Sequence, residues 1–472
     1  MTDIKRARAE AAPWLPPIVL RVAHYVNAQE DVLAFLHAMP AHARGVALDA
    51  LVTLLEVSTN LWPVAYGFVL AKMDVATVAK ALPALRKISI CEGTESTAIC
   101  ERTPLPPTID VDAHVHAPHQ LSVTFGSWVR NISALSISVA GTLDGRALER
   151  ELGACTKLTS LDVVWSEEKV DQDEFDGLMA AILAACPHLS QLRIASERRS
   201  RLRRCNGLVT WLTQPTAREL KLINTDFAPR PAKILARTLL SSAMLHTVKL
   251  TQVPTTSEAF MDPSSPPLPL QLRNLTIERG GGGANLVSRA FPPYLRKLKL
   301  INVSLASFPP LLTLKALQLC SVKLTDDAVA DITSLLAIST LLSSLSLADL
   351  PDDQLNSILY ALPWWLSRQR NDCIVRLCLT KKSAELLVLA MALTHNTHTV
   401  NFLVDGDDSL DLSACQRLVT ALGATSRMEL NFTTHWTKKQ TTLLEQHAAL
   451  RRVKMNGYRF HSPKATPWMA IA

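Results

Sequence analysis

The hydrophobic positions of this chain repeat a short phrase, Leu-x-x-Leu-x-Leu. Between residues 294 and 326 the phrase occurs twice, ending at Leu298/Leu300 and at Leu317/Leu319. Because alternate side chains of a strand point to opposite faces, two leucines separated by one residue share a buried face. A turn and an apolar pattern of helical period follow the second copy. This stretch therefore predicts a strand, a turn and a helix as one unit.

The same phrase recurs along nearly the whole chain. Fourteen copies end in these apolar pairs: Ile88/Ile90, Leu135/Ile137, Leu161/Val163, Leu192/Ile194, Leu220/Leu222, Val248/Leu250, Leu275/Ile277, Leu298/Leu300, Leu317/Leu319, Leu345/Leu347, Leu377/Leu379, Val400/Phe402, Met428/Leu430 and Val453/Met455. From Ile137 to Met455, twelve steps span 318 residues, a mean of 26.5 residues per step. Such a period is typical of stacked repeats.

The chain resembles the leucine-rich-repeat superfamily, closest to its ribonuclease-inhibitor-like class, over roughly four-fifths of its length. The resemblance implies an α/β fold, a solenoid with a curved parallel sheet and outer helices. In the family, an Asn three places past the strand bonds free backbone groups at the turn. Other residues stand at that position here, namely Thr225, Val253, Val303, Val322 and Leu350. We therefore expect an irregular solenoid with uneven curvature.

Seven segments are predicted to form helices on the outer side of the sheet. They are Asp173 to Cys186, Pro231 to Ser241, Asp326 to Ser339, Asp352 to Leu362, Ser383 to His395, Ser413 to Leu422 and Lys438 to His447. Several of them open with Asp or Ser, which accept hydrogen bonds from the free N–H groups of a first helical turn. The proline-rich stretch from Pro254 to Pro269 and the glycine-rich stretch from Arg279 to Ala284 are expected to be loops.

Residues 14–62 resemble an F-box. The resemblance is carried by Leu15-Pro16, a helical pattern ending at Tyr25-Val26, an acidic turn before Asp31-Val32-Leu33, and Leu61-Trp62. Two features depart from the family: Ile18 stands where a Glu is usual, and the basic and aromatic stretch expected near residues 42–48 reads HARGVAL. The resemblance implies docking on a Skp-type adaptor through Leu15, Pro16, Val19, Leu20, Val32 and Leu33. The alternative is an N-terminal helical cap, which a solenoid needs to cover its first open face.

These patterns predict five segments. Residues 1–13 are charged and alanine-rich and are expected to be disordered, and residues 14–62 form the F-box-like helical module. Residues 63–130 are a transition with the first degenerate repeats, including a hidden strand around Ile109 and Val111. Residues 131–456 form the solenoid, and residues 457–472 form a polar tail.

Composition narrows the class of protein. Hydrophobic residues make up 48% of the chain and aromatic residues only 5%, so aliphatic side chains fill the core. The nine cysteines show no regular pairing and favour reduced thiols. The chain begins without a secretory signal pattern and contains no apolar run near the roughly 20 residues that span a bilayer. We expect a protein of the cytoplasm, the nucleus or both, without a membrane partner.

Catalytic motifs are weak. His114 and His116, with His119 nearby, resemble the His-x-His metal ligands of amidohydrolases, but that chemistry needs further ligands from a barrel that the repeats do not predict. The glycines at 280–283 lack the residues of a phosphate-binding loop. The basic run from Arg198 to Arg204 is expected to be a solvated loop, and no nucleic-acid partner is expected. We predict no enzyme activity, no bound metal and no cofactor.

The strands carry a charge signal. If each apolar pair faces inward, the residue between the pair and the residue before it line the concave face. Ten of these positions are basic and three are acidic; the basic ones predicted to bind a partner are Arg193, Lys221, Lys249, Lys297, Lys299, Arg376, Arg452 and Lys454, with Lys87 and Arg427 completing the ten. The excess predicts an acidic protein partner, since complementary charge steers association. Solubility of exposed strands is the alternative explanation.

Together these features predict a non-enzymatic recognition protein. If the F-box resemblance carries over, the chain is the substrate receptor of a Skp/cullin/F-box ubiquitin ligase, with an unknown target held on the repeats. The second hypothesis is a leucine-rich-repeat scaffold or regulator that acts without a ligase. A remote third is a metal-dependent hydrolase that uses His114 and His116.

Overall fold

The computed structural model describes residues 16–116, 120–166, 170–279, 285–286, 291–369, 372–391, 400–406, 410–422, 426–432 and 437–460. The predicted disordered segment 1–13 and the glycines 280–283 lie outside these residues. The chain divides into two compact units, an N-terminal unit that ends at Ala217 and a C-terminal unit that begins at Arg218.

In the N-terminal unit, three helices precede a series of strands and helices. The helices are α1 (Pro16–Tyr25), α2 (Gln29–His37), α3 (Ala41–Val57), α4 (Gly67–Leu70), α5 (Val75–Ala81), α6 (Thr94–Arg102), α7 (Leu121–Phe125), α8 (Gly145–Ala154), α9 (Gln172–Ala185) and α10 (Asn206–Leu212). The strands are β1 (Ala65–Tyr66), β2 (Lys87–Cys91), β3 (Asp110–Val115), β4 (Ile132–Val139), β5 (Ser160–Trp165) and β6 (Gln191–Leu202). They form a parallel sheet in chain order, as the repeated strand–turn–helix pattern predicts.

The C-terminal unit continues the same alternation. Its main strands are β7 (Glu219–Phe227), β8 (Thr247–Thr251), β9 (Asn274–Glu278), β11 (Lys297–Ile301), β13 (Ala316–Cys320), β15 (Ser344–Ala348), β16 (Cys373–Leu379), β17 (Val400–Gly406), β18 (Ser426–Phe432) and β19 (Lys454–Phe460), parallel and in that order. Three short strands, β10 (Asn285–Leu286), β12 (Ser304–Leu305) and β14 (Lys323–Leu324), pair separately. The helices are α11 (Pro229–Ser241), α12 (Pro254–Met261), α13 (Asp326–Ile338), α14 (Asp352–Arg368), α15 (Lys381–Met391), α16 (Leu412–Leu422) and α17 (Lys438–Leu450).

The core lies between each sheet and its helices. In β11, Leu298 and Leu300 are almost fully buried, whereas Lys297 is exposed and Lys299 is half-buried. The same alternation repeats from strand to strand because the apolar pairs are aligned in register, as with Leu298 opposite Leu317. One face of the sheet is therefore packed against helices. We call the other face, which carries the alternate residues, the open face.

The register differs from the prediction at three strands; in β19, Met455 pairs with Met428, so Val453/Met455 is not the equivalent pair. Leu345 pairs with Val375, so the equivalent pair in β16 is Val375/Leu377 and not Leu377/Leu379. Phe402 then pairs with Val375, which makes Phe402/Val404 the pair in β17. Strands β16 and β17 carry additional buried apolar residues in alternation, so the local pattern allowed either assignment.

Five residues that stand two places past an apolar pair adopt the left-handed backbone conformation. Asn224, Gln252, Asn302, Ser321 and Asp349 have φ between 50° and 55°. The N–H of Ser321, for example, donates to the carbonyl of Ala348 at 2.9 Å, which extends the ladder beyond the strands. The residue that follows is buried, as at Val303 and Val322. The family's Asn is thus replaced by an apolar side chain that packs into the core.

Three segments differ from their predicted conformation. The expected loop from Pro254 begins with α12, because Phe260 and Met261 are buried and Pro suits a first helical turn. The basic run expected as a loop lies in β6 as far as Leu202. Strand β19 continues to Phe460, beyond the predicted end of the solenoid at residue 456.

Strand β3 occupies the place of the hidden strand predicted around Ile109 and Val111. It lies between β2 and β4 in the sheet. Among the residues described, no helix is long and apolar enough to cross a membrane.

Side chains also join neighbouring repeats. The buried carboxylate of Asp226, after the apolar pair of β7, accepts hydrogen bonds from the N–H groups of Thr255 and Thr256 at 2.9 and 3.0 Å. It also accepts one from Oγ1 of Thr256 at 2.7 Å. These donors belong to the first turn of α12, where N–H groups have no partner within the helix. Asp226 therefore fixes the start of α12 to the preceding repeat.

We expect Asp226→Ala to lower the free energy of unfolding of the C-terminal unit by about 2–3 kcal/mol, because it leaves several buried donors without an acceptor. Urea unfolding followed by circular dichroism measures the change. Asp262→Ala is the control: that carboxylate accepts from the N–H and Oγ of Ser264 in a surface turn, and we expect a loss below about 1 kcal/mol. Equal losses for the two variants would contradict the role assigned to Asp226.

Candidate functional site

The N-terminal helices bury two residues that the F-box resemblance assigned to adaptor binding. Val19 in α1 and Val32 in α2 have 0% relative exposure, so they belong to the core of the module and cannot contact a docked partner directly. Leu20 and Leu33 are half-buried. Leu15 lies outside the described residues, and Pro16 begins α1 but its side chain is not described.

Three apolar side chains of α1 are exposed instead. Ile18, Val22 and Tyr25 have relative exposures of 46%, 38% and 87%. Their spacing of four and three residues places them along one side of the helix. The sequence signal for them was present in the apolar pattern of residues 18–25. Which apolar residues face inward, however, depends on the packing of α1 against α2 and α3.

The Leu61-Trp62 segment closes the module by returning to its first helices. The indole Nε1 of Trp62 donates to the carbonyl of Val26 at 2.7 Å. Buried Gln29, at the start of α2, donates to the carbonyl of Leu55 at 3.0 Å and accepts from the N–H of Leu61 at 3.1 Å. These contacts span 26 to 36 residues of sequence. They hold α1, α2, α3 and the closing segment as one body.

The module is also packed on the first repeat. Helix α3 lies against α5, and Nε2 of His24 lies 3.1 Å from the carbonyl oxygen of Ala84. Leu82 and Ala84, which follow α5, are buried. The helices therefore pack on α5 and on the turn before β2 as well as forming a module of their own.

In the C-terminal unit, basic side chains of the open face lie on neighbouring strands. Lys221 of β7 is aligned with Lys249 of β8. Lys249 is aligned with Thr276 of β9, and Thr276 is aligned with Lys299 of β11. Lys297 lies two residues before Lys299 on the same face. Adjacent strands are separated by roughly 4.8 Å, so these cations form a closely spaced group.

Several predicted partner-binding residues are engaged in ion pairs within the sheet. Nη1 of Arg193 lies 2.6 Å from Oδ2 of Asp162, and Nε of Arg376 lies 3.0 Å from Oδ2 of Asp405. Nζ of Lys221 is 2.5 Å from Oε1 of Glu219. Asp162 lies on β5, the strand before that of Arg193, and Asp405 lies on β17, the strand after that of Arg376. The positive charge expected at Arg193 and Arg376 is therefore neutralised locally.

Of the last two predicted cations, only Arg452 needs revision. Arg452 precedes β19 in a turn with φ of 59° and is not part of the strand. Lys454 is the first residue of β19, and its side chain is not described. The basic group of the open face is therefore centred on β7 to β11.

A second group of basic residues, which the sequence prediction missed, lies at the edge where these strands begin. We call it the leading-edge row: Arg218, His246, Arg273, Arg296 and Lys315. Each residue immediately precedes its strand. Each carbonyl accepts two N–H groups from the next repeat, as when Arg296 and Lys297 donate to Arg273 at 2.7 and 3.0 Å. In the sequence, a basic residue stands two places before the apolar pair in five consecutive repeats, and this pattern could have predicted the row.

The environment of the leading-edge row is electropositive. Partial burial, followed by the nearby charges of Arg273 and Arg218, lowers the pKa of His246 from its ordinary value. The side chains of Arg273, Arg296 and Lys315 are exposed. We call the leading-edge row together with Lys221, Lys249, Lys297 and Lys299 the basic patch. Two carboxylates, Glu219 and Glu278, lie among the strand positions of this patch.

The structure offers little for the remote hypothesis of a metal-dependent hydrolase. His114 and His116 are exposed, and Nε2 of His114 is 3.8 Å from Oδ1 of Asp112. Within the part of the chain that the structure describes, no group of three or more His, Cys, Asp or Glu side chains could hold a metal ion. Burial raises the pKa of Cys155 and Cys186 to about 12. These thiols are therefore poor nucleophiles at neutral pH.

Comparison with known proteins gives no family assignment. The sequence matches none of the protein-family models, and it has no significant match among curated proteins.

We expect Val19→Asp and Ile18→Asp to behave differently. The first places a carboxylate in the core of the module and should cost about 3 kcal/mol or more, whereas the second places it in solvent and should cost less than about 1 kcal/mol. Limited trypsin cleavage after Arg44 measures the effect, since Nη1 of Arg44 donates to the carbonyl of Leu36 in the folded module. Equal protection of the two variants would contradict the burial of Val19.

Proposed function

We propose that this chain is a non-enzymatic recognition protein whose basic patch binds an acidic segment of another protein. The observation that carries the proposal is the repetition of a basic residue at one repeat position, with Arg or Lys in four of five repeats and His246 in the fifth. Parallel pairing turns that repetition into a continuous row, from Arg218 to Lys315, beside the lysines of the open face. Like charges placed side by side cost free energy unless an opposite charge is nearby, so a bound acidic segment would relieve the repulsion.

The partner chemistry follows from the balance of charge in this patch. Eight Lys and Arg side chains are grouped there, and Lys221 already has Glu219 as a partner. Among the described residues, no ion pair involves Lys297, Lys299, Arg273 or Arg296 within 4.0 Å. Asp and Glu side chains of a partner can therefore reach cations that have no carboxylate partner in the sheet. Such complementarity raises the association rate and depends on salt.

The proposal includes a role for the N-terminal module. We propose that Ile18, Val22 and Tyr25 dock on a Skp-type adaptor, so that the chain acts as the substrate receptor of a Skp/cullin/F-box-type ubiquitin ligase. Exposed apolar side chains along one helix support this role because they gain by burial in an interface. The repeats are proposed to have leucine-rich-repeat character, which the strand–turn–helix alternation supports.

One observation favours the alternative of a scaffold or regulator that acts without a ligase. Helix α3 packs on α5, and His24 contacts Ala84, which supports a role for the module as a cover of the first repeat. A cover needs no adaptor. The two hypotheses share the basic patch and differ only in whether α1 binds a partner.

For the basic patch, we expect a fluorescein-labelled peptide of four Gly-Glu-Glu-Ser repeats to bind, and a Gly-Gln-Gln-Ser counterpart not to bind. The triple variant Arg273→Glu, Arg296→Glu and Lys299→Glu should weaken binding at least tenfold, which corresponds to about 1.4 kcal/mol. Fluorescence anisotropy at low and high salt measures both affinities.

The matched control is Arg368→Glu, Lys438→Glu and Lys439→Glu, which changes the net charge equally at exposed positions on α14 and α17. It should retain at least half of the wild-type affinity. Equal loss in the two triple variants would overturn the patch. Tighter binding of a single-stranded oligonucleotide than of the acidic peptide would overturn the choice of a protein partner.

For the adaptor, we expect co-expression with a Skp-type protein to yield a complex with the wild-type chain. Ile18→Asp combined with Val22→Asp should reduce recovery at least tenfold, because two charges would enter an apolar interface. Val57→Asp, at a residue of α3 that is 75% exposed, is the control and should leave recovery unchanged. Absence of a complex with the wild-type chain would remove the ligase role and leave the scaffold hypothesis.

A further inference from the structure

A depression of about 400 Å³ lies on the open face of the N-terminal unit, centred on β4. Its floor is formed by small side chains, Ala134 and Ser136 of β4 and Ser160 of β5. Small side chains on a central strand leave room that the longer groups of the neighbouring strands enclose. The floor therefore provides space for one side chain of a partner.

Two carboxylates face this space from opposite sides. Asp112 of β3 is aligned with Ala134, and Asp162 of β5 is aligned with Ser136, so one strand separates them. Both residues line the depression. Two strand spacings amount to roughly 9.6 Å between the backbones of β3 and β5, and the two carboxylates are offset by two residues along β4.

A cation holds each carboxylate from its outer side. Nζ of Lys87, on β2, lies 2.9 Å from Oδ2 of Asp112. Nη1 of Arg193, on β6, lies 2.6 Å from Oδ2 of Asp162. The backbones that carry the two cations thus lie one strand further from β4 than the backbones that carry the carboxylates. The four charges sum to zero, and an added cation that comes closer to the two carboxylates than to their partners gains energy because Coulomb energy falls with distance.

The inner oxygen of one carboxylate is unsatisfied. Among the described residues, Oδ1 of Asp162 has no hydrogen-bond partner and is shielded from solvent. A shielded carboxylate oxygen without a donor is costly. The terminal torsion of an Asp side chain is broad, so a small rotation turns this oxygen toward the depression. A donor entering above Ser136 would satisfy it.

We propose that this depression binds the guanidinium group of an arginine side chain carried by a protein partner. A guanidinium has one positive charge and five N–H donors in a planar fork, so it can donate to Asp112 and Asp162 on opposite sides at once. An ammonium group is compact and lacks that fork. The small hydroxyl-bearing floor accommodates the edge of the plane.

A protein-borne group fits better than a free small cation. The side chains of Lys87, Asp112 and His114 at the rim are 36%, 27% and 47% exposed, so the depression is wide open. Small-molecule sites typically bury 70–90% of their ligand. An arginine in a larger interface has the rest of its partner to exclude water. The inference does not rest on the basic patch, because it concerns the other unit and the opposite charge.

The test uses the full chain and two blocked peptides, Ac-Gly-Arg-Gly-NH2 and its citrulline counterpart, which has nearly the same shape without the charge. Ligand-observed NMR titration at pH 8 and low salt should show millimolar binding of the arginine peptide and at least fivefold weaker binding of the citrulline peptide. Asp112→Asn combined with Asp162→Asn should abolish the difference between the peptides. Equal affinity of the two peptides for the wild-type chain would overturn the inference.

Two further variants separate the site from general effects. Asp110→Asn removes a carboxylate from the same strand and the same face, at a residue that does not line the depression, and should leave binding unchanged. Ser136→Val keeps both carboxylates and fills the floor, and should weaken the arginine peptide at least fivefold. If the double Asn variant does not fold, as judged by circular dichroism, the Ser136→Val result decides. Unchanged binding in Ser136→Val would overturn the site.

Discussion

Backbone hydrogen bonding between parallel strands is the interaction on which the rest of this structure depends. It aligns the same position of successive repeats, as when Leu298, Leu317 and Leu345 come into register in β11, β13 and β15. A residue type that recurs once per repeat therefore becomes a continuous row in space. Leucines at two positions become a core, and basic residues at another become the leading-edge row. Chemistry that is scattered along the chain is concentrated by the ladder.

The turns preserve this alignment where the strands end. A residue with positive φ changes the direction of the chain, and its N–H continues the ladder to the neighbouring repeat, as from Asn302 to Cys320. The next residue then enters the core in place of the Asn that the leucine-rich-repeat resemblance implies. Polar side chains such as Asp226 hold the first turn of a helix in the next repeat by hydrogen bonds that are separate from the strand pairing. Free backbone N–H and carbonyl groups at the turns are thus hydrogen-bonded by several different residues, and not by the side-chain amide of one repeated Asn.

The open faces of the two units differ in how their charges are balanced. In the N-terminal unit, Lys87 and Arg193 are paired with Asp112 and Asp162, and small residues lie between the pairs. In the C-terminal unit, cations of neighbouring repeats follow one another with few carboxylates between them. The arrangement in the N-terminal unit favours binding of a cation between two carboxylates, and the arrangement in the C-terminal unit favours binding of an acidic segment.

The sequence by itself determined the alternation of strands and helices and the residues that form most of the core, because periods of two and 3.6 are local properties of the chain. It also located most predicted helices to within a few residues. Only the tertiary structure decided the pairs Val375/Leu377 and Phe402/Val404, the burial of Val19 and the neutralisation of Arg193. Each of these depends on a partner some 30 residues away, through strand register, helix packing or an ion pair between repeats. Such contacts leave no periodic trace in the chain, so only the tertiary structure placed the depression between Asp112 and Asp162, whereas the leading-edge row is periodic in the sequence.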